Sequence, residues 1–194
     1  MVNQIVEGIK QYINLTDEEA RIVEECIPIK YFQKGTILLR EGQVAKASYQ
    51  NLSGLVRKYY IVNGEEITTN FYEENTSISS LNSLNNQEPS THYLECIEDC
   101  KLAVLTKEKE DELIKKVPQY ESLCRASVES DLGEHQEALA KYLIASPEQR
   151  YLNLLKDKPS LLNRVPLYVL ASYIGVKPES LSRIRKRVIK NKDL

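Results

Sequence analysis

The sequence predicts an α+β chain: an N-terminal β-roll, then a long helix, then a C-terminal helix-turn-helix. Three observations predict it. Short β-rich runs with turn residues between them fill 29–106, a helical pattern covers Gln119–Ile144, and two short helical segments flank Gly175. The chain has 194 residues, 42% hydrophobic and 28% charged, enough for a substantial core in one large or two small domains.

The elements follow in order. In "LTDEEARIVEECI" (15–27) Thr16 can cap a helix and Glu19 stands at the partner position of a capping box, with Ile22, Val23 and Cys26 on one face. From Ile29 the texture becomes β-rich, with glycines at 35, 42 and 54. Asn63-Gly64 lies between "VRKYYIV" and "EEITTNFY", the signature of a two-residue hairpin. "YLECIEDCKLAVLT" closes the series, and 106–117 reads as a short helix. In the long helix that follows, Leu123, Val128, Leu132, His135, Leu139 and Tyr142 recur at steps of three to five residues. Such spacing makes a seam against a second copy of the chain, with Asp131 and His135 as its polar members. Ser146-Pro147 ends this helix, "PEQRYLNLLKD" begins another, and 158–166 reads as a loop or small hairpin.

Charge is unevenly distributed. From Pro147 onward eleven Lys/Arg face four acids, an excess of seven positive charges, although the whole chain carries −2; the rest therefore holds nine excess negatives. A basic module joined to an acidic one points toward nucleic acid. In the final block Leu167, Leu170, Ala171 and Ile174 share one helical face, Gly175 ends the helix, Val176 fills the corner, and Pro178 opens the next. With Leu181, Ile184 and Val188 turned inward, Glu179, Arg183, Lys186 and Lys190 fall on the opposite side. Arg183 has the geometry to grip a guanine edge, and Glu179 can accept from a cytosine amino group. Ser182 reaches a base edge or a phosphate. Lys177, Ser180, Arg185, Lys186, Arg187 and Lys190 are placed to meet phosphates.

On "KGTILLREGQ", "LSGLVRKYYIVNGEEITTNFYEE" and "LASYIGVKPESLSRIRKRV", in that order, the chain resembles the Crp/Fnr family of bacterial transcription regulators over nearly its full length. Glu179-Ser180-Leu181-Ser182-Arg183 matches that family's Glu-x-x-Ser-Arg reading motif. The resemblance implies a cyclic-nucleotide-binding-like jelly roll over 1–118, a dimerisation helix over 119–145 and a winged helix-turn-helix over 146–194. It also implies a homodimer on palindromic promoter sites, with reading helices about 34 Å apart. Double-stranded DNA is the implied partner, with RNA polymerase and an unidentified small-molecule effector as further candidates. Lys177 stands where such helices usually carry a Ser or Thr cap, at a cost of about 1 kcal/mol at most.

Family members that bind cyclic nucleotides carry a Gly-Glu pair and, about ten residues on, an arginine for the phosphate. Here Ser79-Ser80 replaces the pair, and Glu88-Pro89-Ser90 fills the arginine region. Cyclic AMP is therefore not expected as the effector, because a buried phosphate without a cation is costly. The roll's interior, with Ser79, Ser80, Ser90, Thr91 and Tyr93, remains the candidate effector pocket. Cys26, Cys96, Cys100 and Cys124 read as structural, and His92 as an ordinary exposed or hydrogen-bonded residue, so no cofactor or metal is expected. No apolar run reaches bilayer length and no signal pattern opens the chain, which predicts a cytoplasmic protein. No nucleotide-binding loop, activated nucleophile or metal spacing marks an enzyme. The competing reading is a sensor protein, responding to a small molecule or cyclic nucleotide, whose helix-turn-helix serves protein contacts; salt dependence of DNA binding separates the two.

Overall fold

The computed structural model describes residues 3–192 and divides into two compact units. One comprises the residues up to Lys58 together with Phe71–Leu132; the other comprises Tyr59–Asn70 and the residues from Gly133 onward.

The β-strands form two four-stranded sheets, whose strands lie in the first unit except for Tyr59–Asn70 of one hairpin. β1 (Ile29–Phe32), β8 (Cys100–Thr106), β3 (Ala47–Ser53) and β6 (Ser77–Ile78) form one, in the order β1-β8-β3-β6. β2 (Ile37–Leu39), β7 (Tyr93–Cys96), β4 (Val56–Val62) and β5 (Glu65–Tyr72) form the other, in the order β2-β7-β4-β5. β8 runs antiparallel to both β1 and β3, pairing Ile29 with Ala103 and Tyr49 with Val104.

Successive side chains of a strand point to opposite faces, so β8 is buried on both. Cys100 and Leu102 join Leu39, Val56, Ile78, Leu94 and Cys96 inside the roll. Ala103 and Leu105 turn the other way, onto α1 (Gln4–Lys10), α2 (Asp17–Cys26) and α4 (Lys107–Lys116), where Val6, Val23, Cys26 and Leu113 form a second core. α2 has the expected capping box: Thr16 Oγ1 accepts from the Glu19 amide at 3.2 Å, and the Thr16 amide donates to Glu19 Oε2 at 2.8 Å. Thr106 caps α4 with its side chain alone, Oγ1 accepting from the Lys109 amide at 3.3 Å. A buried ion pair ties β4 to β7, with Arg57 Nη2 2.6 Å from Glu95 Oε2. Asn51, fully buried, secures the β3–β4 turn: its Nδ2 donates to the carbonyls of Gly54 at 2.9 Å and Tyr72 at 3.0 Å.

α5 spans Gln119–Ile144, as the sequence predicts, and α6 (Pro147–Asp157) starts at Pro147 with Ser146 as its cap. Two elements were not anticipated: α1, and the short α3 (Leu81–Asn86) within the supposed effector segment. The segment 158–166, read as a loop or small hairpin, contains one helical turn, α7 (Leu161–Arg164). α8 (Leu167–Ile174) and α9 (Pro178–Lys192) follow. Among the described residues after Ile144 the regular structure is helical throughout.

Asn63 and Gly64, at φ 53° and 82°, make the two-residue turn of the β4–β5 hairpin, as their sequence signature requires. Gly54 is constrained differently. A Cβ there would overlap the Asp99 carbonyl oxygen and stand 2.9 Å from Cys100 Cα, at a φ of +95°. At Gly64, by contrast, no atom lies within 4 Å of an added Cβ. Gly54→Ala is therefore expected to cost about 2–4 kcal/mol, through both the left-handed backbone and the overlap, and Gly64→Ala only about 1 kcal/mol. Urea midpoints of the two variants check this; equal losses would show that the overlap is relieved.

Candidate nucleic-acid interface

The second unit brings the basic C-terminal residues together. α8 ends at Gly175 in the left-handed region, φ 79° and ψ 39°. The Gly175 amide donates to the Ser172 carbonyl at 3.0 Å, and the Val176 amide to the Ala171 carbonyl at 2.9 Å, closing the helix as a C-terminal glycine motif does. Lys177 begins α9 with its backbone, accepting from the amides of Ser180 at 3.0 Å and Leu181 at 3.1 Å. Leu181, Ile184 and Val188 are buried together with Val169, Leu170, Ala171 and Ile174.

That seating fixes the polar side chains. Lys177, Glu179, Arg183, Lys186, Arg187 and Lys190 are exposed, and Ser180, Ser182 and Arg185 are half-buried. Arg183 lies back along its own helix, with Nε 3.4 Å from the Glu179 carbonyl and Nη2 3.4 Å from Ser180 Oγ. Bonds that long are weak, and the guanidinium exchanges them readily for a better acceptor. Arg187 is engaged more firmly: its Nη2 is 2.6 Å from Glu148 of α6, so it ties α9 to its support.

Sequence reasoning missed Arg150. Its guanidinium carbon lies 3.8 Å from the centre of the Tyr142 ring, its Nε donates to the Tyr142 carbonyl at 3.2 Å, and its Nη1 donates to the Ile174 carbonyl at 3.0 Å. One side chain thus joins the end of α5 to the end of α8. The glycine is required by its φ, while an added Cβ would also displace two side-chain ends, meeting Tyr142 Oη at 2.7 Å and Arg150 Nη1 at 3.0 Å. A cation beside a tyrosine at the end of an amphipathic helix is too common a pattern to read from sequence.

The helical seam residues are placed unequally. Leu123 is half-buried and packs with Cys124 against the helix-facing core of the first unit. From Arg125 to Ile144 every residue is exposed. Val128, Leu132, His135, Leu139 and Tyr142 stand at alternating steps of four and three, the spacing of a two-stranded seam, with Asp131 beside them. Tyr142 already carries Arg150 on its ring.

Within the roll a cavity of about 490 Å³ is lined by Leu38, Leu39, Gln43, Val44, Ala45, Lys46, Ala47, Tyr49, Ser80 and Leu94. Of the candidate pocket residues only Ser80 lines it; Ser90 is buried, Ser79 and Tyr93 are half-buried, and Thr91 is exposed. Ser90 is occupied with His92, donating to its carbonyl at 2.9 Å and accepting from its amide at 3.2 Å. Glu88 is exposed and lies outside the lining, whereas Lys46 supplies a cation that the sequence reading overlooked. The expectation that a bound phosphate would meet no cation therefore does not apply to this cavity. No carboxylate is among the lining residues, and a ribose diol has no charged acceptor there.

Cys26, Cys96 and Cys100 are core residues with free thiols, and Cys124 is half-buried. The Cys100 thiol lies 3.3 Å from the Glu98 carbonyl and 3.6 Å from that of Leu55. His92, expected to be exposed or simply hydrogen-bonded, is 5% exposed.

These features define a class: a cyclic-nucleotide-binding-like β-roll, a long helix and a helix pair with a basic outer face. Residues 29–117 match the model of the cyclic nucleotide-binding domain family, and the chain has the fold of the Crp/Fnr regulators that are its structural neighbours. Among curated proteins none matches in sequence. One solved structure like it is the c-di-GMP-responsive global regulator CLP of Xanthomonas campestris, with a TM-score of 0.71 at 16% identity over 91% of this chain and 93% of that one. FixK2 of Bradyrhizobium japonicum matches with a TM-score of 0.70 at 14% identity over 86% of each chain. A CooA variant from Carboxydothermus hydrogenoformans gives 0.67 at 12% identity, over 95% of this chain and 84% of that one. Among the described residues no helix is long and apolar enough to cross a membrane.

Burial, reinforced by the positive charge of Lys58, pushes the His92 imidazole down from 6.5 to about 4. The unfolded chain takes up this proton near 6.5, whereas the folded chain resists it until about 4. Stability is therefore complete above about 6.5 and is lost as pH falls toward 4, by up to about 3 kcal/mol. Urea midpoints across that window should fall more steeply for the wild type than for His92→Gln; parallel slopes would remove His92 as the cause.

Proposed function

We propose that the protein is a sequence-specific DNA-binding transcription regulator of the Crp/Fnr type. In this reading it acts in the cytoplasm as a homodimer on palindromic promoter sites. The functional division is a sensor-like roll over 1–118, a dimerisation helix over 119–145 and a helix-turn-helix over 146–194. One observation carries the reading: Leu181, Ile184 and Val188 are buried while Glu179 and Arg183 stand exposed on the same helix, one turn apart. Nothing in the packing of α9 calls for an exposed carboxylate among that many cations. A base edge offers both groups a partner, Arg183 at guanine and Glu179 at a cytosine amino group. Lys177, Ser180, Ser182, Arg185, Lys186 and Lys190 then hold the backbone, and Arg187 contributes while staying paired with Glu148.

The exposed run from Arg125 to Ile144 supports the dimer. A helix of that length with all its side chains in water is marginal on its own, and a second copy along Val128, Leu132, Leu139 and Tyr142 covers its apolar stripe. Cyclic AMP is not the effector in this reading, because the cavity lining has no carboxylate to accept from the ribose diol. Any effector acts by binding one arrangement of the dimer more tightly than the other. The DNA-reading element in this reading is the α8–α9 pair of a winged helix-turn-helix, of which the described residues after Ile144 supply the helices.

Duplexes selected from a random pool test the assignment directly. Arg183→Ala is expected to cost about 1–3 kcal/mol on the selected site and to relax the preference at one base pair, while Lys190→Ala weakens all sequences alike. Equal, sequence-blind losses would defeat the role given to Arg183. A flat response of log affinity to log salt would instead favour the protein-contact reading. Leu132→Arg is expected to convert the dimer to monomer in sedimentation; an unchanged sedimentation coefficient would place the dimer contact elsewhere.

A further inference from the structure

β5 is the outer strand of its sheet, so one side of it presents backbone groups that no strand pairs. Near the hairpin tip the Ser172 side chain of α8 meets backbone groups of β5. The Thr68 amide donates to Ser172 Oγ at 2.8 Å, and the Ser172 hydroxyl donates to the Glu66 carbonyl, also at 2.8 Å. One hydroxyl thus accepts and donates as a residue on a neighbouring strand would. Thr68 is 3% exposed, although Glu65, Glu66, Ile67 and Thr69 around it are all exposed. Near the tip of the hairpin the buried position is thus Thr68, beside the hydroxyl. In keeping with this, Tyr59–Asn70 belongs to the same compact unit as α8 and α9.

We propose that Ser172 is a latch whose hydroxyl holds the β4–β5 hairpin on α8 and thereby fixes the setting of the α8–α9 pair for DNA binding. The second half of this rests on the DNA-reading role given to α9 above. The closed latch leaves the reading side chains free: Glu179 and Arg183 are exposed in the same structure in which Ser172 is bonded. Two hydrogen bonds of ordinary length can open while both elements stay folded, which makes the joint a latch rather than a weld. Because the strands of the hairpin continue into the roll at Lys58 and Phe71, the latch is the place where an event in the roll would reach the reading helix. Ser172 is a positioning residue; it touches no DNA in this proposal.

The test uses the full chain with Ser172→Ala, the hydroxyl-retaining Ser172→Thr, and Thr68→Pro, which removes the donor from an edge strand where proline is tolerated. Hydrogen exchange read on a peptide covering 65–70 reports the latch without DNA. Exchange there should rise roughly tenfold in Ser172→Ala and return toward wild type in Ser172→Thr. Affinity for the selected duplex should fall about fivefold to tenfold in Ser172→Ala and in Thr68→Pro, with the same base preferences and the same salt slope, since no phosphate contact is lost. Unchanged exchange in Ser172→Ala would overturn the latch. Faster exchange with unchanged or tighter DNA binding would overturn its role in setting the helix pair. A wild-type chain that binds no duplex would overturn the DNA reading and with it that role, while the exchange comparison still upholds or refutes the latch itself.

Discussion

The seating of α9 on α8 decides what the C-terminal unit can do. Three apolar side chains, Leu181, Ile184 and Val188, occupy one stripe of a helix that otherwise carries mostly charge. Once they are buried, the 100° turn per residue leaves no choice about Glu179, Arg183, Lys186 and Lys190. Gly175 is the condition for this seating. Its left-handed φ turns the chain between the helices, and its missing Cβ leaves room for Tyr142 and Arg150. In the DNA-binding reading proposed above, selectivity and affinity reside on different side chains of one face. The exposed cations would supply the attraction to a polyanion, and the carboxylate would discriminate, because it is repelled wherever it finds no donor.

Inside the first unit the comparable constraint is β8. A strand buried on both faces must be apolar at nearly every position, and "CKLAVLT" is, apart from Lys101 and Thr106 near its ends. It joins the two cores: Leu102 belongs to the roll and Ala103 to the helical layer. The roll has an open cavity lined by six aliphatic residues together with the polar Lys46, Gln43, Tyr49 and Ser80. One cation without a carboxylate favours an anionic guest.

Much of this was legible in the sequence wherever local chemistry and periodicity agreed. Thr16 with Glu19, Asn63-Gly64, Ser146-Pro147 and Gly175 each act within three or four residues of themselves, and each stands where it was expected. α5 was legible from its length and its flanking Pro118 and Pro147. α3 and α7 were not, because six-residue and four-residue helices carry too little pattern to separate from loops. The cavity lining was legible only at Ser80. Its other walls come from β2, β3 and the 43–46 segment, which no spacing along the chain connects with Ser79 to Tyr93. Arg150, Glu148 and Ser172 escaped for the same reason: their roles come from partners that only the fold supplies.

Those three side chains share a consequence. Arg150 ties the end of α5 to the end of α8, Arg187 with Glu148 ties α9 to α6, and Ser172 ties the hairpin to α8. The attachments are polar and lie around a small apolar seat, so the helix pair is held by directional bonds as well as by burial. Directional bonds define an orientation, whereas apolar contact alone tolerates sliding. A reading helix needs orientation above all, because a small error at the turn becomes a misplaced guanidinium at Arg183. The ties also differ in strength. A guanidinium stacked on a ring with two carbonyl partners is harder to release than a serine bridging two backbone groups. Of these ties, the one at Ser172 is therefore the easiest to release.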